Sequence, residues 1–237
     1  MPLYRNLNRR TLEPEEIDDP KLATHLLHGA LHGLTTINYL SASARAVWPS
    51  MVRLARRLKT DRLRVLDVAT GAGDIPLALW RKSQYTDLQL EIHGVDLSER
   101  ALEFARRSAH ASQAKIQFSR LNVVTDEFPA NYDVVMSSLF LHHLDDETAR
   151  RLLTKMAAAT NQLVLVNDLR RHPFGLALAH FAGRVLTRSP VVRVDAVRSV
   201  RAAFTIAEVR RLAAQAGLGG AMVSTQWPCR YLLSWQR

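Results

Sequence analysis

The chain has 237 residues, 47% hydrophobic and 23% charged, an ordinary globular composition that excludes wholesale disorder and collagen-like repeats. No apolar run reaches the roughly 18 residues a membrane span needs. The Arg-rich start Met1–Arg10 does not read as a secretory signal, and the lone Cys229 can form neither an internal disulfide nor a thiolate metal cage, so a cytoplasmic setting is expected. The net charge of +10 is uneven: residues 1–169 hold 21 bases against 20 acids, whereas residues 170–237 hold 11 arginines against Asp195 and Glu208 alone. A basic last third suits nucleic acid, an anionic membrane or an acidic substrate, and equally a solvated arginine-rich surface.

Residues 1–60 read as a helical N-terminal lid. Glu13 to Pro20 is acidic and polar, and is expected to stay mobile until a substrate binds. Leu22, Leu26, Leu27, Ala30, Leu31 and Leu34 recur at helical spacing. A second helix is predicted over Ser43–Leu58, with Val47, Met51, Leu54, Ala55 and Leu58 on one face and arginines on the other. The pattern then changes. Apolar or alternating runs at Arg64–Ala69, Leu88–Asp96, Lys115–Phe118, Tyr132–Ser137 and Gln162–Asn167 read as strands, separated by helices at Pro76–Lys82, Glu99–Ala109 and Asp146–Thr160. Strands alternating with helices predict a parallel, doubly wound α/β sheet over residues 61–237. Residues 169–204 are too many for a simple connection and carry a helical signal at Leu176, Ala179, His180, Val185 and Leu186, so a helical cap inserted after the fifth strand is expected. Thr205-Ile-Ala-Glu208 is a capping box, Gly217 closes the helix it opens, and Ala221–Thr225 with Arg230–Trp235 forms a closing hairpin.

The strongest signal is Val65-Leu-Asp67-Val-Ala69-Thr70-Gly71-Ala-Gly73, a strand running into a tight glycine turn. A dinucleotide site would want a third glycine for helix packing beside a pyrophosphate, and here Pro76 follows instead. Asp67 at the strand end would repel a pyrophosphate but attract an ammonium group. Asp96 ends the next strand, 23 residues after Gly73, a spacing that suits a carboxylate on ribose hydroxyls. Two carboxylates around a glycine turn ask for a ligand with a ribose and a cation. S-adenosylmethionine has both and no phosphate.

With these residues the chain resembles the class I S-adenosylmethionine-dependent methyltransferases over roughly residues 60–168. Asp67, Ala69, Gly71 and Gly73 match the family's acid-x-Gly-x-Gly-x-Gly motif, with Ala69 in place of its first glycine, a change that should narrow the turn without closing it. Asp96 matches the ribose-binding acid, and Asn122 stands where the family often places a polar residue near the adenine. Asp133–Asp146 is similar to the family's fourth strand and the loop lining the sulfonium, and Thr36-Ile-Asn38-Tyr39 with Trp48 is loosely similar to the lid of the quinone-biosynthesis C-methyltransferases. The resemblance implies a Rossmann-like seven-stranded sheet whose last strand is antiparallel. It implies S-adenosyl-L-methionine as cofactor, held by Asp67, Ala69, Thr70, Gly71, Gly73, Asp96, Leu97, Asn122, Val123 and Ser138.

Methyl transfer to oxygen needs the acceptor to lose a proton, and histidine is the default group for that. His142 and His143 follow the fourth strand, and adjacent side chains in a tight loop should point different ways. The resemblance favours His143 as base or acceptor-orienting group. The bland reading has both rings capping the next helix or packing under the loop. Tyr39 either orients the acceptor or packs at a helix turn. Asp168 and Arg170, past the fifth strand, either contact the acceptor or pair with each other or the cap. His25, His28 and His32 share a helix face without a carboxylate or cysteine cluster, so packing is expected there and no metal.

The apolar cap residues Phe174, Leu176, Leu178, Phe181, Val185 and Leu186 suit a small hydrophobic acceptor, phenolic, quinone-like or polyketide, methylated on oxygen or carbon. An alternative is an RNA or protein methyltransferase docking through the basic last third. Against it, Arg184, Arg188, Arg193, Arg198 and Arg201 alternate with apolar residues rather than forming a tract. A third reading is a binding module without turnover. Peripheral attachment to an anionic membrane fits the first reading, and the expected assembly is a monomer or homodimer.

Overall fold

The computed structural model describes residues 7–19, 21–40, 43–187 and 189–237. Its strands are β1 (Arg62–Val68), β2 (Gln89–Asp96), β3 (Ile116–Arg120), β4 (Tyr132–Ser138), β5 (Thr160–Leu169), β6 (Met222–Gln226) and β7 (Arg230–Gln236). Its helices are α1 (Thr24–Leu40), α2 (Ser43–Leu58), α3 (Asp74–Ser83), α4 (Glu99–Ala111), α5 (Asp146–Ala159), α6 (Pro173–Val185), α7 (Pro190–Ala202) and α8 (Ile206–Gln215). One seven-stranded sheet runs β3-β2-β1-β4-β5-β7-β6. β1 to β5 are parallel, and β7 runs antiparallel to β5 and β6.

The order follows from burial. β4 and β5 are almost wholly buried, the mark of central strands covered on both faces. On one face Leu66, Val68, Val135, Val164 and Val166 meet Leu152, Leu153 and Met156 of α5 and Val209, Leu212 and Ala213 of α8. On the other, Val65, Val134, Met136, Leu163 and Leu165 meet Ile75 and Leu79 of α3 and Val47, Trp48, Met51 and Leu54 of α2. Each of these large side chains stabilises the fold by about 1.5–3 kcal/mol. The sequence places α2 in a lid over residues 1–60; the structure corrects this, because an apolar face of that size is buried against the sheet and not held above it. α1 does lie outside the main layers, packing Leu27 and Leu31 on Phe104 of α4 and Ala72 of the glycine turn. α6 and α7 occupy the interval where a cap is expected.

The order of strand addition reverses between the parallel neighbours β1 and β4, so the crevice beyond their carboxyl ends is the switch point where ligands bind in such sheets. The glycine turn fills that point. α3 begins two residues before its expected start at Pro76, because Gly73, with φ +68°, turns the chain directly into the helix. Thr205 and Glu208 make the expected reciprocal capping box. Among the described residues no helix is long and apolar enough to cross a membrane.

The two glycines of the turn carry different constraints. A Cβ on Gly73 would lie 2.8 Å from the Ala105 Cβ and 2.9 Å from the Phe118 ring, whereas one on Gly71 (φ +54°) meets nothing within 4 Å. Gly71→Ala is expected to cost only the left-handed backbone penalty, about 1 kcal/mol, and Gly73→Ala at least about 2 kcal/mol because α4 and β3 must also move. Urea denaturation of the two variants tests this ranking.

Candidate active site at the ends of β1, β2, β4 and β5

β1 ends where Ala69 adopts φ +58°, a left-handed conformation that an alanine takes at a cost of roughly 1 kcal/mol. Thr70 N donates to Val95 O on β2 at 2.9 Å and Gly73 N to Thr70 O at 3.0 Å, closing the turn. Asp67 is buried beneath it. Thr70 Oγ1 donates to Asp67 Oδ2 at 2.7 Å, while Oδ1 is buried without a partner. Burial raises the Asp67 carboxyl to about 7, against the pull of Thr70 and with the charges of Asp74 and Asp96 adding to the rise.

Asp96 ends β2 and holds the turn from the side. Its Oδ2 accepts from Gly71 N at 2.8 Å and its Oδ1 from Ser98 N at 2.9 Å. Each oxygen keeps a lone pair, so the carboxylate can still accept from two vicinal hydroxyls. Leu97 stands next to it, 53% exposed, an apolar surface suited to a flat ring. The open space over Gly71, the unpaired oxygen of Asp67 and the free lone pairs of Asp96 together fit a ligand carrying a cation and a ribose.

Two other expected contacts sit differently. The Val123 side chain packs in the core with Leu66 and Val135 and does not line the crevice. Burial draws an apolar side chain there inward, which leaves only its backbone for a ligand. Asn122 Oδ1 accepts from Val124 N at 3.1 Å, so its amide is engaged in its own turn. Ser138 ends β4 with a buried hydroxyl that lacks a partner, and its register partner Asn167 on β5 has both amide atoms buried and unpartnered. Asn167 was not among the residues expected from sequence to bind. Its only sequence signal is a polar residue in the otherwise apolar run Leu163–Val166. These buried, unpartnered polar atoms on β1, β4 and β5 lie toward the same, carboxyl end of the sheet.

Past β4 the chain makes a short 3-10 turn, Leu141–His143. His142 is buried, and its Nδ1–H donates to Asp168 Oδ1 at 2.6 Å while its backbone N–H donates to Asp168 Oδ2 at 3.1 Å. Asp168 therefore acts on this ring instead of pairing with Arg170. Arg170 donates its backbone N–H to Cys229 O at 2.8 Å, and its side-chain Nε is buried without a partner. The two histidines do not diverge as expected. His142 Nε2 lies 3.7 Å from Glu15 Oε1, His143 Nε2 lies 3.8 Å from Glu15 Oε2, and the ring centroids are 4.4 Å apart. The convergence is made by Glu15, which reaches both rings from the N-terminal segment. Burial opposes charge on His142, but Asp168 and Glu15 outweigh it and raise the ring's pKa; burial likewise opposes ionisation of Glu15, and the histidines and Ser199 outweigh it and lower the carboxyl.

The described residues 7–19 of the N-terminal segment make many contacts to the body of the chain. Arg10 donates to Ala202 O and Leu144 O, each at 2.7 Å, pairs with Asp146 at 2.7 Å and lies over the Phe204 ring. The backbone N–H groups of Glu16 and Ile17 donate to Asp195 of α7. Tyr39 belongs to α1, and its side chain lies outside the described residues. His28 and His32 pack against Phe104, at 5.9 and 4.9 Å between ring centroids.

Residues 65–162 match the model of a family described as "Methyltransferase domain". A demethylmenaquinone methyltransferase of Deinococcus radiodurans is 35% identical over 95 residues, 40% of this chain and 38% of that protein. A ubiquinone biosynthesis O-methyltransferase of Bordetella parapertussis is 28% identical over 131 residues, 53% of this chain and 52% of that one. The chain thus spans about half or less of the length of these relatives. The plantazolicin methyltransferase BpumL in complex with SAH shares the fold with a TM-score of 0.64 at 16% identity, covering 92% of this chain and 90% of that one.

The state of Asp67 has a measurable consequence. Its carboxyl rises from 3.8 to about 7 on folding. Between those values the folded chain keeps a proton that the unfolded chain has lost, so this group lowers stability as pH rises from about 4 to about 7, by up to about 4 kcal/mol. Asp67→Asn removes the titration and is expected to flatten the loss of stability between pH 5 and pH 7.5 in urea unfolding. Identical slopes in wild type and variant would show that Asp67 ionises normally.

Proposed function

We propose that the chain is a class I S-adenosylmethionine-dependent methyltransferase that moves a methyl group from S-adenosylmethionine to a small hydrophobic acceptor of phenolic, quinone-like or polyketide type, a reading supported by the match of residues 65–162 to a methyltransferase domain. The observation that carries this reading is the buried Asp67, with one oxygen unpaired, beneath a glycine turn tied to Asp96. Bound there, the cofactor supplies a methyl already activated by a sulfonium. Asp96 accepts from the ribose hydroxyls, Asp67 is the charge set against the ammonium, and Leu97 covers the adenine. The turn at Gly71 lets the ligand approach the backbone closely. Ser138 and Asn167 offer the remaining polar atoms to cofactor or acceptor.

The names of the quinone-pathway relatives support an aromatic acceptor. So does the cap: α6 exposes Phe174, Phe181 and Val185 beside Arg184, a face suited to taking a lipophilic acceptor from an anionic membrane surface. An oxygen acceptor must give up its proton during transfer, and His143, held beside the His142–Glu15 pair, is the group placed to take it. Asp168 fixes the tautomer and direction of His142, and so acts as a positioning residue.

Calorimetric titration with S-adenosylmethionine and S-adenosylhomocysteine tests the cofactor assignment. Micromolar binding is expected, weakened ten-fold or more, at least about 1.4 kcal/mol, by Asp96→Ala. No binding to folded wild-type protein would refute it. Once an acceptor is found by screening phenols and quinols, His143→Ala is expected to lower kcat by about a hundred-fold or more with cofactor affinity unchanged. Unchanged turnover would remove His143 from the mechanism.

A further inference from the structure

The geometry points to a divalent-cation site formed by Glu15, His142 and His143, with Zn²⁺ as the best-fitting ion and an acceptor hydroxyl as the ligand for its open position. One ligand atom from each of these three residues lies within 4.8 Å of the others. The carboxylate-to-imidazole separations of 3.7 and 3.8 Å are too long for hydrogen bonds. They come close to the edges of a coordination polyhedron, since metal–ligand bonds of about 2.0–2.1 Å place tetrahedral ligands about 3.4 Å apart. The two separations use the two oxygens of Glu15, and the ligand atoms must draw in from within 4.8 Å of one another to complete it.

The outer layer gives the stronger argument. A metal-binding imidazole usually donates its other N–H to a carboxylate, which fixes the tautomer and raises ligand basicity. His142 does this with Asp168 at 2.6 Å, so Nε2 is the ring atom left to bind the ion, which displaces its proton. His143 Nδ1 faces Asp18 Oδ2 at 3.4 Å, leaving its Nε2 toward the same centre. The third ligand is held too: Ser199 Oγ donates to Glu15 Oε1 at 2.5 Å. Each of the three ligands thus has its own supporting partner, from β5, the N-terminal segment and α7 respectively.

The donor set narrows the ion. Two imidazoles and one carboxylate suit a first-row dication, Zn²⁺ foremost, over Mg²⁺ or Ca²⁺, which prefer all-oxygen shells. Glu15, Asp18 and Asp168 supply the opposing negative charge. Three protein ligands leave a fourth position open. With the ion bound, the histidines serve as ligands and not as bases: a phenol or enol oxygen taking that position would lose its proton to solvent more readily and present an oxygen nucleophile; this last clause rests on the methyltransferase reading, whereas the cation site does not.

The test uses the full chain, stripped with chelator, and titrates it with Zn²⁺ alone by calorimetry and with Co²⁺ by visible spectroscopy. One ion per chain is expected, with intense d–d bands of low-coordinate Co²⁺. Glu15→Gln and His143→Ala should each weaken Zn²⁺ binding ten-fold or more, while S-adenosylhomocysteine affinity stays within about three-fold and reports that the variants fold. Absent or sub-stoichiometric binding, or affinities unchanged in both variants, would overturn the site and leave the cluster as an ion-pair anchor for the N-terminal segment. Zinc binding without S-adenosylhomocysteine binding would uphold the cation site and overturn the cofactor reading.

Discussion

A carboxyl group at the end of a central strand, sealed from water and left with one oxygen unpaired, sets the terms for the rest of the site. Burying Asp67 costs free energy that the single Thr70 hydrogen bond offsets only in part, so the group takes up a proton at neutral pH or waits for a cation. The surrounding residues keep it in that condition. Asp96 binds Gly71 N and so prevents the turn from opening to solvent. Gly73 lets Phe118 and Ala105 close from the side, and no larger residue would. Ala69 bears backbone strain in place of a glycine, as functional turns commonly do.

The arginine excess of the last third has a structural explanation. Arg171 is buried, donates to Leu7 O and Ala203 O, and pairs with Glu208 at 2.7 Å. Arg198 faces Glu13, Glu16 and Asp195, and Arg193 donates to Gly183 O and Thr187 O within the cap. Arg230, also buried, is bonded to Ser43 and Asn38, joining the ends of α2 and α1 to β7. These arginines bind carbonyls and acids of the chain itself, and Arg198 ties the acidic N-terminal segment to α7. The segment thereby delivers Glu15 to the histidine pair.

Much of the fold could be read from local pattern, because the information is local. Period-two and period-3.6 runs marked the strands and helices, and α2 lies at Ser43–Leu58 as its spacing predicts. The strand ends were less legible: β1 begins at Arg62 and β3 runs on to Arg120, since pairing with a neighbour extends a strand beyond its apolar residues. Asp67, Gly71, Gly73 and Asp96 declared themselves by spacing along one strand–turn–strand unit. Glu15 did not, because nothing local distinguishes it from Glu13 or Glu16. Only the path of a segment some 130 residues away in sequence brings it to His142. Val123 is the opposite case: its burial is set by the helices packed over it, which the local sequence does not show.

The central claim is that Asp67 is held protonated near neutrality and gives up that proton to a bound cation. Calorimetry of S-adenosylmethionine binding at pH 6.5, in buffers of different ionisation enthalpy, counts the protons released. The difference between wild type and Asp67→Asn isolates this group from the titration of the ligand itself. Release of roughly half a proton or more by wild type, absent in the variant, is predicted. Equal proton counts in the two proteins would contradict it and show that the buried carboxylate is already ionised before the ligand arrives.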